Sequence, residues 1–258
     1  MGRTLAIINQ KGGTGKTTTA VNLAAGLARM GRSVLLMDMD PQAHATYGLG
    51  IDVDETDEPT LSQVLGEDRT PLAAILLDTV VPGLKLAPSS IGLAKTATLM
   101  YARPFKETIL QKALATLPGF DYVVIDCQPT LDVLALNALV AADRVLIPTQ
   151  LTGHALKGMA DLLATLDTIK NGDPYDWRIL LTMVTGFGEE RQAQAVRILE
   201  PIADRILSTR IRRTEAIEKS QMENDDETLV PVVLSKVANR GSQDYRALTK
   251  EVAELWPA

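Results

Sequence analysis

The chain has one cysteine, Cys127, in 258 residues. A single thiol excludes an internal disulfide, a four-thiolate zinc site and an iron–sulfur cluster held within one chain, and it fits a reducing compartment. Long apolar runs are missing as well. No stretch free of charged side chains exceeds 12 residues (17–28 and 145–156), well short of the roughly 20 apolar residues that cross a bilayer. The N-terminal apolar run stops at Asn9 and Gln10, shorter than the apolar region of a secretory signal, so the chain reads as cytoplasmic. Positive charge is not in excess either: 26 Lys and Arg face 32 Asp and Glu, for a net charge of −6. Contact with nucleic acid would therefore need a local basic patch. What is present suits one folded unit over residues 1–258, because 46% of the side chains are hydrophobic, enough for a core and too many for disorder.

Short, almost wholly apolar runs alternate with longer helical patterns along the chain. Such runs suit strands buried on both faces, and the alternation predicts an α/β fold: a mostly parallel, twisted sheet with helices on both sides. The strands are expected at 5–8, 34–37, 84–87, 122–125, 145–147 and 179–183, and the helices at 16–30, 131–142, 154–169, 191–202 and 243–255. The acidic stretches 52–58 and 223–227 read as solvated loops.

Directly after the first strand and before the first helix stands Lys11-Gly12-Gly13-Thr14-Gly15-Lys16-Thr17-Thr18. Strand, glycine-rich loop, Lys-Thr pair and helix together are the setting a phosphate-binding loop requires. Glycine permits positive φ and lets backbone N–H groups approach phosphate oxygens, while the helix N-terminus favours the same anion. Lys16 is placed to reach the β- and γ-phosphates of a nucleotide, and the Thr17 hydroxyl to ligate Mg²⁺. The fold class is thus that of a P-loop NTPase.

One departure carries information. Counting back from Lys16 puts Gln10 where the first glycine of the usual loop stands, and a lysine follows it. KGGTGKTT resembles the deviant phosphate loop of the ParA/MinD family of ATPases, most of all its small ParA-type members. That resemblance implies ATP and Mg²⁺ as ligands, and an ATP-sandwich homodimer in which Lys11 reaches the partner's nucleotide. A second ammonium near the transferring phosphoryl group offsets its developing charge. The plain alternative for Lys11 is a solvated loop cation.

Two aspartate segments extend the resemblance. Asp38-Met39-Asp40-Pro41-Gln42 is similar to the family's segment after its second strand, and Asp40 is the candidate for orienting the attacking water, with a water-mediated contact to Mg²⁺. For Asp38 a structural cap on the following turn stands beside a role in the site. The run 120–126 is an apolar strand ending in Asp126, which resembles the family's metal-binding strand and would hold the Mg²⁺ shell. Relatives carry proline where Gln128 stands. Cys127 reads as buried packing.

The segment ending Arg212-Arg213-Thr214-Glu215-Ala216 is similar to the ParA stretch whose arginine helps bind DNA without sequence preference. Arg210, Arg212, Arg213 and Arg240 are the candidate phosphate contacts, within a stretch 204–219 that holds five basic and three acidic residues. The alternative is a solvated helix face with ion pairs such as Glu215 with Lys219. The segment 186–191 departs from the family's basic position after the sixth strand, with Arg191 or Arg197 as substitutes. The resemblance implies a nucleoid-associated ATPase that segregates or positions a cargo through a ParB-like or other adaptor. A MinD-like membrane cycle would need a basic amphipathic C-terminal helix, whereas the tail 249–258 is acidic and short. Docking on a protein surface instead of DNA is the other alternative. An ATP-dependent synthetase is disfavoured by Lys11 and the 38–42 segment. No helix-turn-helix is expected before the first strand.

Overall fold

The computed structural model describes residues 2–53, 58–66, 70–117, 119–150, 155–171, 175–185, 200–219, 230–237 and 239–258. The strands are β1 (Arg3–Ile7), β2 (Val34–Met39), β3 (Leu77–Asp78), β4 (Leu84–Ala87), β5 (Tyr122–Cys127), β6 (Arg144–Gln150), β7 (Asp176–Val184) and β8 (Ile206–Arg212). They form one sheet in the order β3-β4-β2-β5-β1-β6-β7-β8. Every pairing is parallel except that of β3 with β4. The described helices are α1 (Lys16–Arg29), α2 (His44–Tyr47), α3 (Leu61–Leu65), α4 (Gly92–Met100), α5 (Ile109–Ala115), α6 (Val133–Ala141), α7 (Ala155–Lys170), α8 (Glu215–Lys219) and α9 (Arg240–Leu255).

The period of two along each central strand divides the core into two layers. Val34 and Leu36 of β2, with Tyr122 and Val124 of β5, join the apolar faces of α1 and α9. Leu35, Met37 and Met39, with Val123, Ile125 and Cys127, join α3 to α7 on the other side. This is the arrangement expected for an α/β parallel sheet. All six expected strands form, extended by one to three residues at one or both ends, except that Ile8 lies just past β1 and 84–87 is unchanged. Helix α6 starts two residues later than expected, because Asp132 accepts bonds from the Leu134 and Ala135 amides and caps it.

Two strands escape the sequence pattern. β3 is a two-residue edge piece, too short for any periodicity. β8 carries Arg210 and Arg212 in an alternating pattern, as an edge strand with one wet face does. Within the basic stretch 204–219, Arg210 and Arg212 thus lie on a strand and Arg213 in the turn after it, while Glu215 and Lys219 lie on helix α8 as the helix-face alternative has them; the Lys219 side chain lies outside the described residues. So do residues 191–199 of the expected helix 191–202, the segment 186–190 with Arg191 and Arg197, His154, and the acidic stretches 54–57 and 223–227. Residues 200–205 form 3₁₀ turns.

The outer edge of β8 is capped by α9. Glu251 accepts the Ser208 and Thr209 amides at 2.6 and 2.8 Å, and Asp244 accepts the Arg212 amide at 2.9 Å. Burial pushes the Glu251 carboxyl up, but the bonds from Ser208 and Thr209 outweigh it and hold the group below its ordinary value.

Helices α1 and α9 cross at Gly26, where a Cβ would stand 2.2 Å from Thr249 Oγ1 and 3.1 Å from its Cβ. Thr249 cannot swing aside freely, because its hydroxyl donates to the Tyr245 carbonyl at 2.7 Å. Gly26→Ala gains about 1 kcal/mol of helix propensity but overpacks this crossing at a cost of about 1–3 kcal/mol. Urea unfolding should show net destabilisation, largely recovered in Gly26→Ala/Thr249→Ala. A Gly26→Ala chain as stable as the parent would show that the crossing yields.

Candidate active site

Because the strands are parallel, the carboxyl ends of β1, β2, β5, β6 and β7 all open on one edge, the usual ligand side of such a sheet. The loop 11–15 follows β1, Asp38 lies near the end of β2, and Asp126 near the end of β5. Asp38 and Asp126 are direct register partners, and Ile7 is paired with Asp126 on the other side. The expected residues Lys11 to Thr18, Asp40 and Asp126 are thereby gathered at one place.

Gly13 and Gly15 adopt φ of +69° and +83°, a region that side chains with a Cβ avoid. A Cβ added at Gly12, Gly13 or Gly15 would meet no atom within 4 Å, so these glycines border open space. Helix α1 starts at Lys16 with Gly15 as its N-cap, no side-chain cap and no acidic residue in its first turn. Its first N–H groups and its dipole are left for an anion. Lys16 is 7% exposed and donates from Nζ to the Lys11 carbonyl at 3.3 Å. Burial lowers its pKa, opposed chiefly by the charge of Asp126. Lys11 is exposed on the rim of the loop, and its amide donates to Asn9 Oδ1 at 3.0 Å.

Asp126 is fully buried, and neither carboxylate oxygen completes a hydrogen bond. Burial raises its pKa well above the ordinary value, the neighbouring charges of Asp38 and Asp40 add to the rise, and the Thr17 hydroxyl and the Lys16 ammonium oppose it. A buried carboxylate without partners fits a hydrated cation in front of it. Among the described residues no group of three His, Cys, Asp or Glu forms a metal cage. Magnesium suits that arrangement, because it takes one or two protein oxygens and completes its shell with water and phosphate. Thr17 and Asp126 could hold the ion, with Asp40 at 9% exposure beside them.

Asp38 is the structural carboxylate of the two readings. Its Oδ2 accepts the Thr46 amide at 2.8 Å and the Thr46 hydroxyl at 2.7 Å, and Oδ1 accepts the Asp40 amide at 3.1 Å. It therefore ties the segment carrying Asp40 to α2. Burial pushes it up to about 6 against those bonds. Asp40 Oδ1 accepts the Gln42 amide at 2.9 Å. Cys127 is 1% exposed with its thiol pushed well up by burial, which makes it inert packing. Gln128 bonds through its side-chain amide to Asp132, the cap of α6.

The candidate DNA arginines do not form one open cluster. Arg210 and Arg213 are exposed, and Arg240 is exposed at the start of α9. Arg213 pairs with Glu218 at 2.8 Å. Arg212 is held by Asp244 through Nη2 at 2.5 Å and Nε at 3.0 Å. No sequence signal marked Asp244, since an acidic residue 32 positions away has no local pattern to betray it.

A phosphate loop between the central strand and a helix, with a carboxylate at the end of the adjacent strand, defines a P-loop nucleotide hydrolase. Residues 2–177 match the family model described as an AAA domain. The chain is 36% identical over 261 residues to the sporulation initiation inhibitor protein Soj of Bacillus subtilis, covering 98% of this chain and 99% of that protein. It is also 36% identical over 261 residues to the chromosome partitioning protein ParA of Myxococcus xanthus, covering 98% and 88%. A solved structure named cobyrinic acid a,c-diamide synthase from Mycobacterium smegmatis, with ATP analogue and magnesium bound, superposes with a TM-score of 0.82 at 30% identity, covering 100% of this chain and 97% of that one. The chain belongs to the ParA/MinD family of P-loop ATPases. It is an ATP hydrolase that works with Mg²⁺.

A carboxyl whose pKa is raised on folding stabilises the fold below its unfolded value, near 3.8, and loses that contribution as pH rises through the folded value. The burial that raises the Asp126 pKa therefore makes its ionised form a net cost to the nucleotide-free protein as pH rises. Asp126→Asn should raise the nucleotide-free Tm at pH 8 by about 2–4 °C and abolish the further rise given by ATP with Mg²⁺. A lower Tm, or an undiminished response to ATP with Mg²⁺, would contradict the cation role.

Proposed function

We propose that this chain is a ParA-type switch, one domain over residues 1–258, whose ATP-bound homodimer holds non-specific DNA and positions a cargo. The convergence of Lys11, Lys16, Thr17, Asp40 and Asp126 on one sheet edge carries the reading, in a chain that matches Soj and ParA over 98% of its length. The name of the Myxococcus xanthus relative, chromosome partitioning protein ParA, supports partitioning as the process. Lys16 binds the β- and γ-phosphates, and the amides at the start of α1 take the remaining phosphate oxygens. Thr17 and Asp126 would hold Mg²⁺, which would supply positive charge to offset that of the phosphates. Asp40 orients the attacking water. Lys11, on the rim, reaches the partner protomer's nucleotide, so neither site is complete alone.

Each half completing the other makes dimerisation and ATP binding one coupled equilibrium. Arg210, Arg213 and Arg240, with Arg212 once released from Asp244, supply phosphate contacts that carry no base preference. Two protomers double that surface and so raise its avidity. An adaptor of the ParB kind, bound to the cargo, then accelerates hydrolysis and returns the monomer. The setting is the cytoplasm, on the nucleoid; among the described residues no helix is long and apolar enough to cross a membrane. The name of the Mycobacterium smegmatis structure raises a second reading, an ATP-dependent amide synthetase. In that reading a corrinoid acid accelerates ATP turnover and DNA does nothing.

Lys11→Ala should bind ATP as a monomer and lose both the ATP-dependent dimer in size-exclusion chromatography and at least about 100-fold in phosphate release. Dimers and turnover at parental levels would remove Lys11 from the mechanism. Random-sequence duplex DNA should retain the parent with ATP but not with ADP, about 10-fold less well or worse after a fourfold rise in salt. Arg210→Glu/Arg240→Glu should lose that retention. ATP-dependent dimers that ignore DNA would overturn the DNA reading in favour of a protein surface.

A further inference from the structure

Glycines give the phosphate loop reach at the expense of definition. With Gly13 and Gly15 at positive φ and no Cβ to bias them, the peptide planes between residues 13 and 15 are free to turn over at little steric cost. A turned plane would present a carbonyl to a phosphate instead of an N–H. Something outside the loop has to fix those planes.

Two side chains from distant strands do so. Gln150, the last residue of β6, donates from Nε2 to the Gly13 carbonyl at 2.7 Å. Thr182, near the end of β7, donates its hydroxyl to the Thr14 carbonyl at 2.8 Å, and it is 3% exposed. In a trans peptide the C=O and the following N–H point in opposite directions. Turning the Gly13 carbonyl toward Gln150 therefore turns the Thr14 N–H away from β6, and turning the Thr14 carbonyl toward Thr182 does the same for the Gly15 N–H. Both N–H groups are thereby directed to the open side of the loop.

Gln150 is itself held. Its Nε2 also donates to Met183 Sδ at 2.9 Å. Met183 has φ of +52° inside β7, where the ladder to β8 loses register between Leu181 and Val184. A left-handed methionine within a strand is strained, and here it sets its sulfur against Gln150.

We infer that Gln150 and Thr182 are positioning residues of the phosphate loop, which preset the Thr14 and Gly15 amides as phosphate donors. The inference rests on nucleotide binding and not on the DNA reading, so the two fail separately. Thr182→Val keeps the shape and removes the donor, Thr182→Ser keeps the donor, and Gln150→Ala removes the second brace. The probe is a fluorescent ADP with Mg²⁺, its dissociation constant read by anisotropy beside the nucleotide-free Tm. Thr182→Val and Gln150→Ala should each weaken binding roughly 3- to 10-fold, the range of one lost hydrogen bond, with the nucleotide-free Tm within about 2 °C of the parent. Thr182→Ser should bind as the parent does. Parental affinity in Thr182→Val and Gln150→Ala, equal weakening in Thr182→Val and Thr182→Ser, or losses that track a falling Tm would overturn the assignment. Should Thr182→Val fail to fold, Gln150→Ala decides alone, because Gln150 lies at the partly exposed end of its strand.

Discussion

The molecule is organised around charge placed where water is scarce. Asp126 stands on a central strand with no exposed surface and no hydrogen bond to either oxygen, directly beside Asp38 in register. Such a group is a liability to folding unless a cation faces it. Lys16 supplies part of that compensation, and its own burial gives it the mirror-image need for an anion. A nucleotide with Mg²⁺ would answer both at once, which would make stability and ligand binding two readings of one electrostatic balance. Asp38 is spared the same fate only because Thr46 and the Asp40 amide bond to it.

The same economy governs the two layers of helix. α1 is buried along most of its length, so the orientation of its N-terminus is fixed by packing against β5 and α9 and not by its cap. α9 in turn reaches across to β8 with Asp244 and Glu251. The helix that braces the back of the phosphate site is thus the helix that holds Arg212. Any displacement of α9 relative to α1 acts on both the loop and the arginine edge, with Gly26 and Thr249 as the point of closest approach.

How much of this was legible depended on the range of each interaction. The phosphate loop is a local device, eight consecutive residues between a strand and a helix, and it stands in the structure where the pattern put it. Asp126 was legible through the resemblance of the run 120–126 to the family's metal-binding strand. Asp38 left two readings open, and the choice needed Thr46, which only the fold brings near. Nothing in the sequence assigned Gln150 or Thr182 a role in the loop: their partners lie 137 and 168 residues away, and a polar residue at a strand end has ordinary explanations. β8 was missed because its arginines break the apolar run that marks a buried strand, and Arg212 looked available because Asp244 is remote in sequence.

An open sheet invites recruitment of further strands wherever a row of amides is left unpaired. At β8 three of the backbone N–H groups are already taken by carboxylates of α9, and the opposite border ends in a two-residue antiparallel stub. Lateral growth by strand addition is closed off on the β8 side for as long as α9 stays docked.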